Sequence, residues 1–173
     1  GIYYAGLQAG VSSTLLTTLS TKYHALYDAM YGVGGWLTTL TDITTIDGAL
    51  FNTLFDEYYA AKTAVQQETA NLNNASLVLS ADTGVILLTA RGVLTTEEIK
   101  LTITSDRIPI ANVTISRSDA GALTKIDDYH YTLDCSTVMA DTITVGVTAT
   151  YLSRSYSSTV SITKYVDPSK TAY

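Results

Sequence analysis

Between residues 16 and 40, apolar side chains return every third or fourth position: Leu16, Leu19, Tyr23, Leu26, Met30, Val33, Leu37 and Leu40. Steps that alternate between three and four keep all of them on one stripe of a helix, with the spacing of a coiled-coil seam. Gly32, Gly34 and Gly35 interrupt the stripe, each at a cost of about 1 kcal/mol relative to alanine inside a helix. Leu37 resumes it in register, so the pattern predicts helix on both sides of a weak point. A second helix has a readable start. Asp47 is placed to cap it, and Ile46 with Phe51 fits a hydrophobic staple across the cap. Its stripe runs Phe51, Leu54, Tyr58, Ala61 and Val65. The connection "TDITTI" is short, which predicts two antiparallel neighbours, a helical hairpin.

The period changes at "NLNNAS", residues 71 to 76. Beyond it apolar positions alternate with polar ones, the mark of strands with one buried face. "EIKLTITS" turns Ile99, Leu101 and Ile103 inward; "NVTISR" offers Val113 and Ile115; "YHYTLDC" offers Tyr129, Tyr131, Leu133 and Cys135. "TITVGVTATY" offers Ile143, Val145, Val147, Ala149 and Tyr151, "STVSITK" offers Val160 and Ile162, and "GVILLTA" is a further candidate. "RSDAG" and "LSRSYS" read as turns, and Pro168 after Asp167 should close the last strand. Six or seven strands with no helix between them predict an antiparallel sandwich. The chain is therefore expected to be α+β. Residues 1–75 would form a coiled-coil-like helical hairpin, the oligomerisation region, and residues 76–173 a β-sandwich.

Composition adds a constraint on surroundings. Only 15% of the 173 residues are charged while 46% are hydrophobic, against about 25% charged in an average soluble domain. So little charge implies surface covered by copies of the chain or by a partner. The formal net charge is −6, with no basic run, which leaves nucleic-acid binding without electrostatic support. No apolar run approaches the roughly 20 residues of a membrane span. Gly1 in place of an initiator Met reads as a piece of a larger protein, and nothing resembles a signal peptide.

Chemistry is sparse. No H-E-x-x-H, C-x-x-C, calcium-loop, G-x-S-x-G or phosphate-loop pattern occurs, so no metal, cofactor or catalytic residue is expected. His24, His130 and the single Cys135 are too few for zinc. Asp127 and Asp128 read as a solvated turn rather than a cation site. His130 and Cys135, an odd number of positions apart on one predicted strand, would face opposite ways and make no nucleophile pair. The stretch "FDEYYAAK" raises a separate question, whether Tyr58 and Tyr59 form an aromatic platform for a ligand. Tyr58 lies on the helical stripe, and Tyr23, Tyr27 and Tyr31 recur every four residues, so packing is the preferred reading.

"YHALYDAM" followed by "IDGALFNTLFDEYYAAK", and then "STVSITKYVD", resembles modules of bacteriophage tail-tip and central-fibre proteins over most of the chain. In those proteins a helical block is joined to small immunoglobulin-like domains. The resemblance implies a non-enzymatic virion protein acting in tail assembly and host attachment. The second half would be an immunoglobulin-like domain, here of a fibronectin-like or divergent kind, since no Trp lies in the third strand and Cys135 has no partner. The implied partners are copies of itself in a homotrimer, other tail proteins and a host cell-surface receptor. The oligomer or helix-packing interface would run along Leu16, Leu19, Tyr23, Leu26, Met30, Val33, Leu37, Leu40, Phe51, Leu54, Tyr58 and Val65. The alternative is a binding module of a bacterial surface adhesin that contacts sugar or protein.

Overall fold

The computed structural model describes residues 1–38 and 46–169. Two compact units make up the chain: Gly1–Asn73 together with Leu152–Arg154, and Asn74–Tyr151 together with Ser155–Tyr173.

Among its described residues the first unit has three α-helices, α1 (Ile2–Ala9), α2 (Ser13–Tyr31) and α3 (Gly48–Asn74), and a 3-10 turn at Trp36–Thr38. Gly10, at φ 86°, closes α1 in the left-handed conformation. The amide of Val11 then donates to the Gly6 carbonyl and that of Gly10 to Leu7, satisfying carbonyls the helix leaves open. Ser12 caps α2, accepting from the Leu15 amide, and its own amide donates to Glu68 Oε1 of α3 at 3.1 Å. Asp47 caps α3, its Oδ1 accepting from the Leu50 amide at 3.0 Å. One core serves the unit: Val11, Leu16, Leu19, Ala61, Val65 and Leu72.

These observations correct the expectation of a helical hairpin. The described residues of the unit form three helices, and one of them, α3, runs for 27 residues. Nor does α2 run on through the glycines to Leu37. The Gly32 amide still donates to Asp28 O, but Gly32 is extended and Gly34 takes φ 74°. A Cβ on Gly32 would lie 2.5 Å from Asp28 O, so only glycine lets the chain leave the helix there. Leu37 stands in the 3-10 turn, and Leu40 lies outside the described residues. In-register spacing of Leu37 was outweighed by three glycines in four positions, each lowering helix stability.

Among its described residues the second unit holds eight strands in two four-stranded sheets. They are β1 (Ser76–Ala81), β2 (Val85–Thr89), β3 (Glu98–Asp106), β4 (Val113–Arg117), β5 (Thr124–Lys125), β6 (His130–Asp134), β7 (Thr142–Tyr151) and β8 (Arg154–Asp167). One sheet has the order β1-β3-β6-β5 and the other β2-β8-β7-β4. The first is antiparallel throughout, with Leu79 opposite Ile103 and Leu101 opposite Tyr131. In the second, β2 pairs parallel to β8, Val85 opposite Thr163. The expected six or seven antiparallel strands of an immunoglobulin-like or fibronectin-like sandwich are corrected accordingly: there are eight, and one sheet is mixed. A parallel neighbour needs a long connection, and nearly the whole unit separates β2 from β8, so local pattern could not reveal the pair. Strand β8 also begins at Arg154, inside the stretch read as a turn.

Both sheets feed one core. Leu77, Leu79, Ile99, Leu101, Ile103 and Leu133 come from one, and Ile86, Val145, Val147 and Ile162 from the other. Alternation along β7 is regular: Ile143, Val145, Val147 and Ala149 are buried while Thr142, Thr148 and Thr150 are exposed. Ten such aliphatic side chains, at about 1.5–3 kcal/mol each for full burial, are the main stabilising term of this unit.

Candidate functional site

The residues assigned to an interface from sequence fall into two groups. Leu16, Leu19, Leu26 and Val65 are buried within the chain's own helical unit. Met30, Leu37, Phe51, Leu54 and Tyr58 are half-buried. Tyr23 is 47% exposed and Val33 fully so. Only the first group is spent on the unit's own core; the others retain surface.

The division follows position along the helices. Buried residues of α3 are Ala61, Val65 and Leu72, from its midpoint onward. Its first half carries the same apolar stripe, Phe51 and Leu54, and adds Phe55 and Leu50, yet none of these is buried. The facing stretch of α2 buries Leu26 and leaves Tyr27 and Tyr31 46% and 51% exposed. Their rings lie against one another, 6.0 Å from Tyr23 to Tyr27 and 5.1 Å from Tyr27 to Tyr31 between centroids. The Trp36 indole sits 5.2 Å edge-on to Phe51. Around this half the charges are few; Lys22 and Glu57 pair at 2.9 Å on the surface.

"FDEYYAAK" is divided in the same manner. Tyr58 packs on the core and lies 6.3 Å from the Tyr23 ring. Tyr59 is exposed, stacks on Phe55 at 6.3 Å and carries the Lys62 ammonium 5.5 Å over its face.

The chemical candidates of the second unit are engaged locally. Asp127 accepts from the amides of Tyr129 and His130, at 2.7 and 2.8 Å, and from His130 Nδ1 at 2.8 Å. The His130 ring bonded to it holds its carboxyl below the ordinary range. Asp128 pairs with Lys125 at 2.7 Å. Both aspartates thus stabilise the turn before β6. Cys135 is buried and its thiol is pushed up by that burial, while His130 is exposed at the surface, so the structure builds no thiol–imidazole pair. Among the described residues no three His, Cys, Asp or Glu side chains are grouped as a metal ion would require. No helix among them is long and apolar enough to cross a membrane.

Sequence reasoning passed over Arg117. Its side chain is wholly buried at the end of β4. Nε and Nη2 donate to the two carboxylate oxygens of Asp119 at 2.8 and 2.6 Å, and Nη1 to Ala122 O and Thr137 Oγ1, both at 2.9 Å. A Cβ on Gly121 would lie 2.4 Å from the guanidinium carbon. "RSDAG" is therefore a turn folded around its own arginine. The signal available was the pair R-x-D beside a glycine, which reads equally well as an ordinary polar turn. Four of the five Arg117 N–H groups are spent within the turn and on Thr137, so the cluster is structural.

No family model matches the chain. No curated protein matches it either. Among solved structures, an endo-β-1,4-mannanase from Thermotoga petrophila overlaps 62% of this chain at 6% identity with a TM-score of 0.34, and the chain covers 24% of that structure. The PKD domain (329-428) from human KIAA0319 overlaps 57% of the chain at 17% identity with a TM-score of 0.30, with 88% of that domain covered. The chain thus spans about a quarter of the mannanase. At these scores neither likeness carries an argument about fold or activity.

Proposed function

We propose that the chain is a non-enzymatic structural module of a bacteriophage tail, from the tail tip or central fibre, which associates through its helical unit as a homotrimer. The observation that supports assembly is the half-finished core. The apolar stripe of α3 continues through Leu54 and Phe51, but burial within the chain ends at Ala61. Contiguous apolar surface on a soluble protein is characteristically an interaction site. Surface of this kind on a chain with 15% charged residues favours cover by further copies or by neighbouring tail proteins. The tail assignment itself comes from the sequence resemblance of the helical block. In this reading the two-sheet unit is a spacer or display element, located in the virion, and exposed loops would meet a host receptor.

The rival reading is a bacterial surface adhesin working as a monomer, and the exposed tyrosines are what favours it. The coding context separates the two. Tail-assembly frames on either side of this one are expected; a secretion signal and wall anchor in the same frame would overturn the phage reading.

A further inference from the structure

We infer that the helical unit carries a binding site for an acidic saccharide, in a groove between the start of α1, the middle of α2 and the centre of α3. The groove encloses about 590 Å³, within the roughly 300–1,000 Å³ usual for small-molecule sites. Four tyrosines wall it, Tyr3, Tyr4, Tyr23 and Tyr58, with His24 and Lys62 beside them. Tyr3, Tyr4 and Tyr23 are all exposed, so these rings are open to a ligand.

Three features define the ligand. A tyrosine wall is apolar on its face and hydrogen-bonding at its edge. A pyranose ring has the same division, with C–H faces and hydroxyl edges, whereas an aliphatic ligand would leave the phenol oxygens unused. Second, His24 Nδ1 lies 2.7 Å from the Ser20 carbonyl. A carbonyl only accepts, so Nδ1 donates there and Nε2 is the ring nitrogen left for a ligand hydroxyl. Third, among the described residues lining the groove Lys62 carries the one charged side chain, with the backbone of Gly1 also in the lining. Among the described residues it has no carboxylate partner, only the Tyr59 ring 5.5 Å away. An unpaired ammonium beside an aromatic wall, in a chain of net charge −6, favours a ligand that brings its own carboxylate. The ligand class is therefore a sugar of the hexuronic acid type.

The groove shares Tyr23 and Tyr58 with the assembly reading and otherwise draws on Tyr3, Tyr4, His24 and Lys62, which that reading does not use. The test is an amide NMR titration of the whole chain with a hexuronic acid disaccharide, with its neutral hexose counterpart, and with an acidic tripeptide. Shifts are expected around Tyr3, Tyr4, Ser20 and Lys62, with the acidic sugar tighter than the neutral one by about fivefold, the worth of one exposed ion pair. Tyr4→Ala should weaken both sugars by about tenfold. Lys62→Met should abolish the preference for the acid. Both positions are on the surface, and unchanged dispersion of the remaining amides verifies folding. Absence of shifts with either sugar, equal affinity for the two, indifference to Tyr4→Ala, or peptide binding in place of sugar would each overturn the inference.

Discussion

Tyr58 and Tyr59 are adjacent in the chain and differ in what they do. Tyr58 is half-buried on the core and touches the Tyr23 ring, while Tyr59 is exposed on Phe55. Truncating a fully buried large aromatic costs roughly 3–5 kcal/mol; at half burial Tyr58→Ala is expected to cost about half of that. Tyr59→Ala should fall within about 0.5 kcal/mol, as for surface positions generally. Denaturant melts of the two variants check the difference, and equal midpoints would refute the packing role of Tyr58. The Arg117 cluster gives a pH-dependent counterpart. Hydrogen bonds from Arg117 hold the Asp119 carboxyl below its ordinary range. A carboxyl depressed in the folded state adds stability above its unfolded pKa of about 3.9, and that contribution is lost as pH falls through the folded value. Breaking a buried pair from one side costs roughly 3–5 kcal/mol. Asp119 keeps part of its surface in water, so Asp119→Asn belongs at the low end. The gap between parent and variant should be full at pH 7, begin to narrow below about pH 4 and close as pH falls through the lower folded value. A gap that stays constant to pH 3 would mean the charge plays no part. None of this was visible in "RSDAG", because burial of Arg117 depends on Thr137, twenty positions away.

At the scale of elements, α1 shows what periodicity misses. Eight residues are too few for a convincing stripe, and "IYYAGLQA" contains a glycine. That glycine is the reason α1 packs where it does. A Cβ on Gly6 would lie 2.8 Å from Val65 Cγ1 and 3.2 Å from Leu16 Cδ2. Gly6→Ala would gain about 1 kcal/mol of helix propensity and lose about 1–3 kcal/mol to overpacking, a near balance tilted towards loss. Gly6→Val adds two more carbons with nowhere to go and should destabilise by about 2 kcal/mol or more. Thermal melting followed by helix circular dichroism reads this directly; a Gly6→Val chain that melts with the parent would contradict the close contact among α1, α2 and α3. The start of α3 was legible because capping is local: Asp47 and the Leu50 amide are three positions apart. The end of α2 was misjudged because Leu37 kept the right phase, and phase does not report whether the backbone stays helical across glycines.

For the whole molecule, the sequence showed the change of period at residues 71 to 76, and the structure places the end of α3 at Asn74 and the start of β1 at Ser76. Alternating residues also identified most of the sheet core, Ile99 to Ile162, since inward positions of a strand are a two-residue pattern. Strand order and the parallel β2–β8 pair were hidden, being set by contacts across the entire unit. Of the proposed interface, the sequence could name the stripe but not which part of it the chain buries by itself. The central claim is that the exposed half of the stripe is covered by further copies. Sedimentation equilibrium of the whole chain on the order of tens of micromolar tests it most directly. A mass near three times the 18.5 kDa of one chain is predicted, falling to that of one chain in a Tyr27→Glu, Tyr31→Glu double variant with unchanged helix content. A parent that sediments as a single chain would contradict the account.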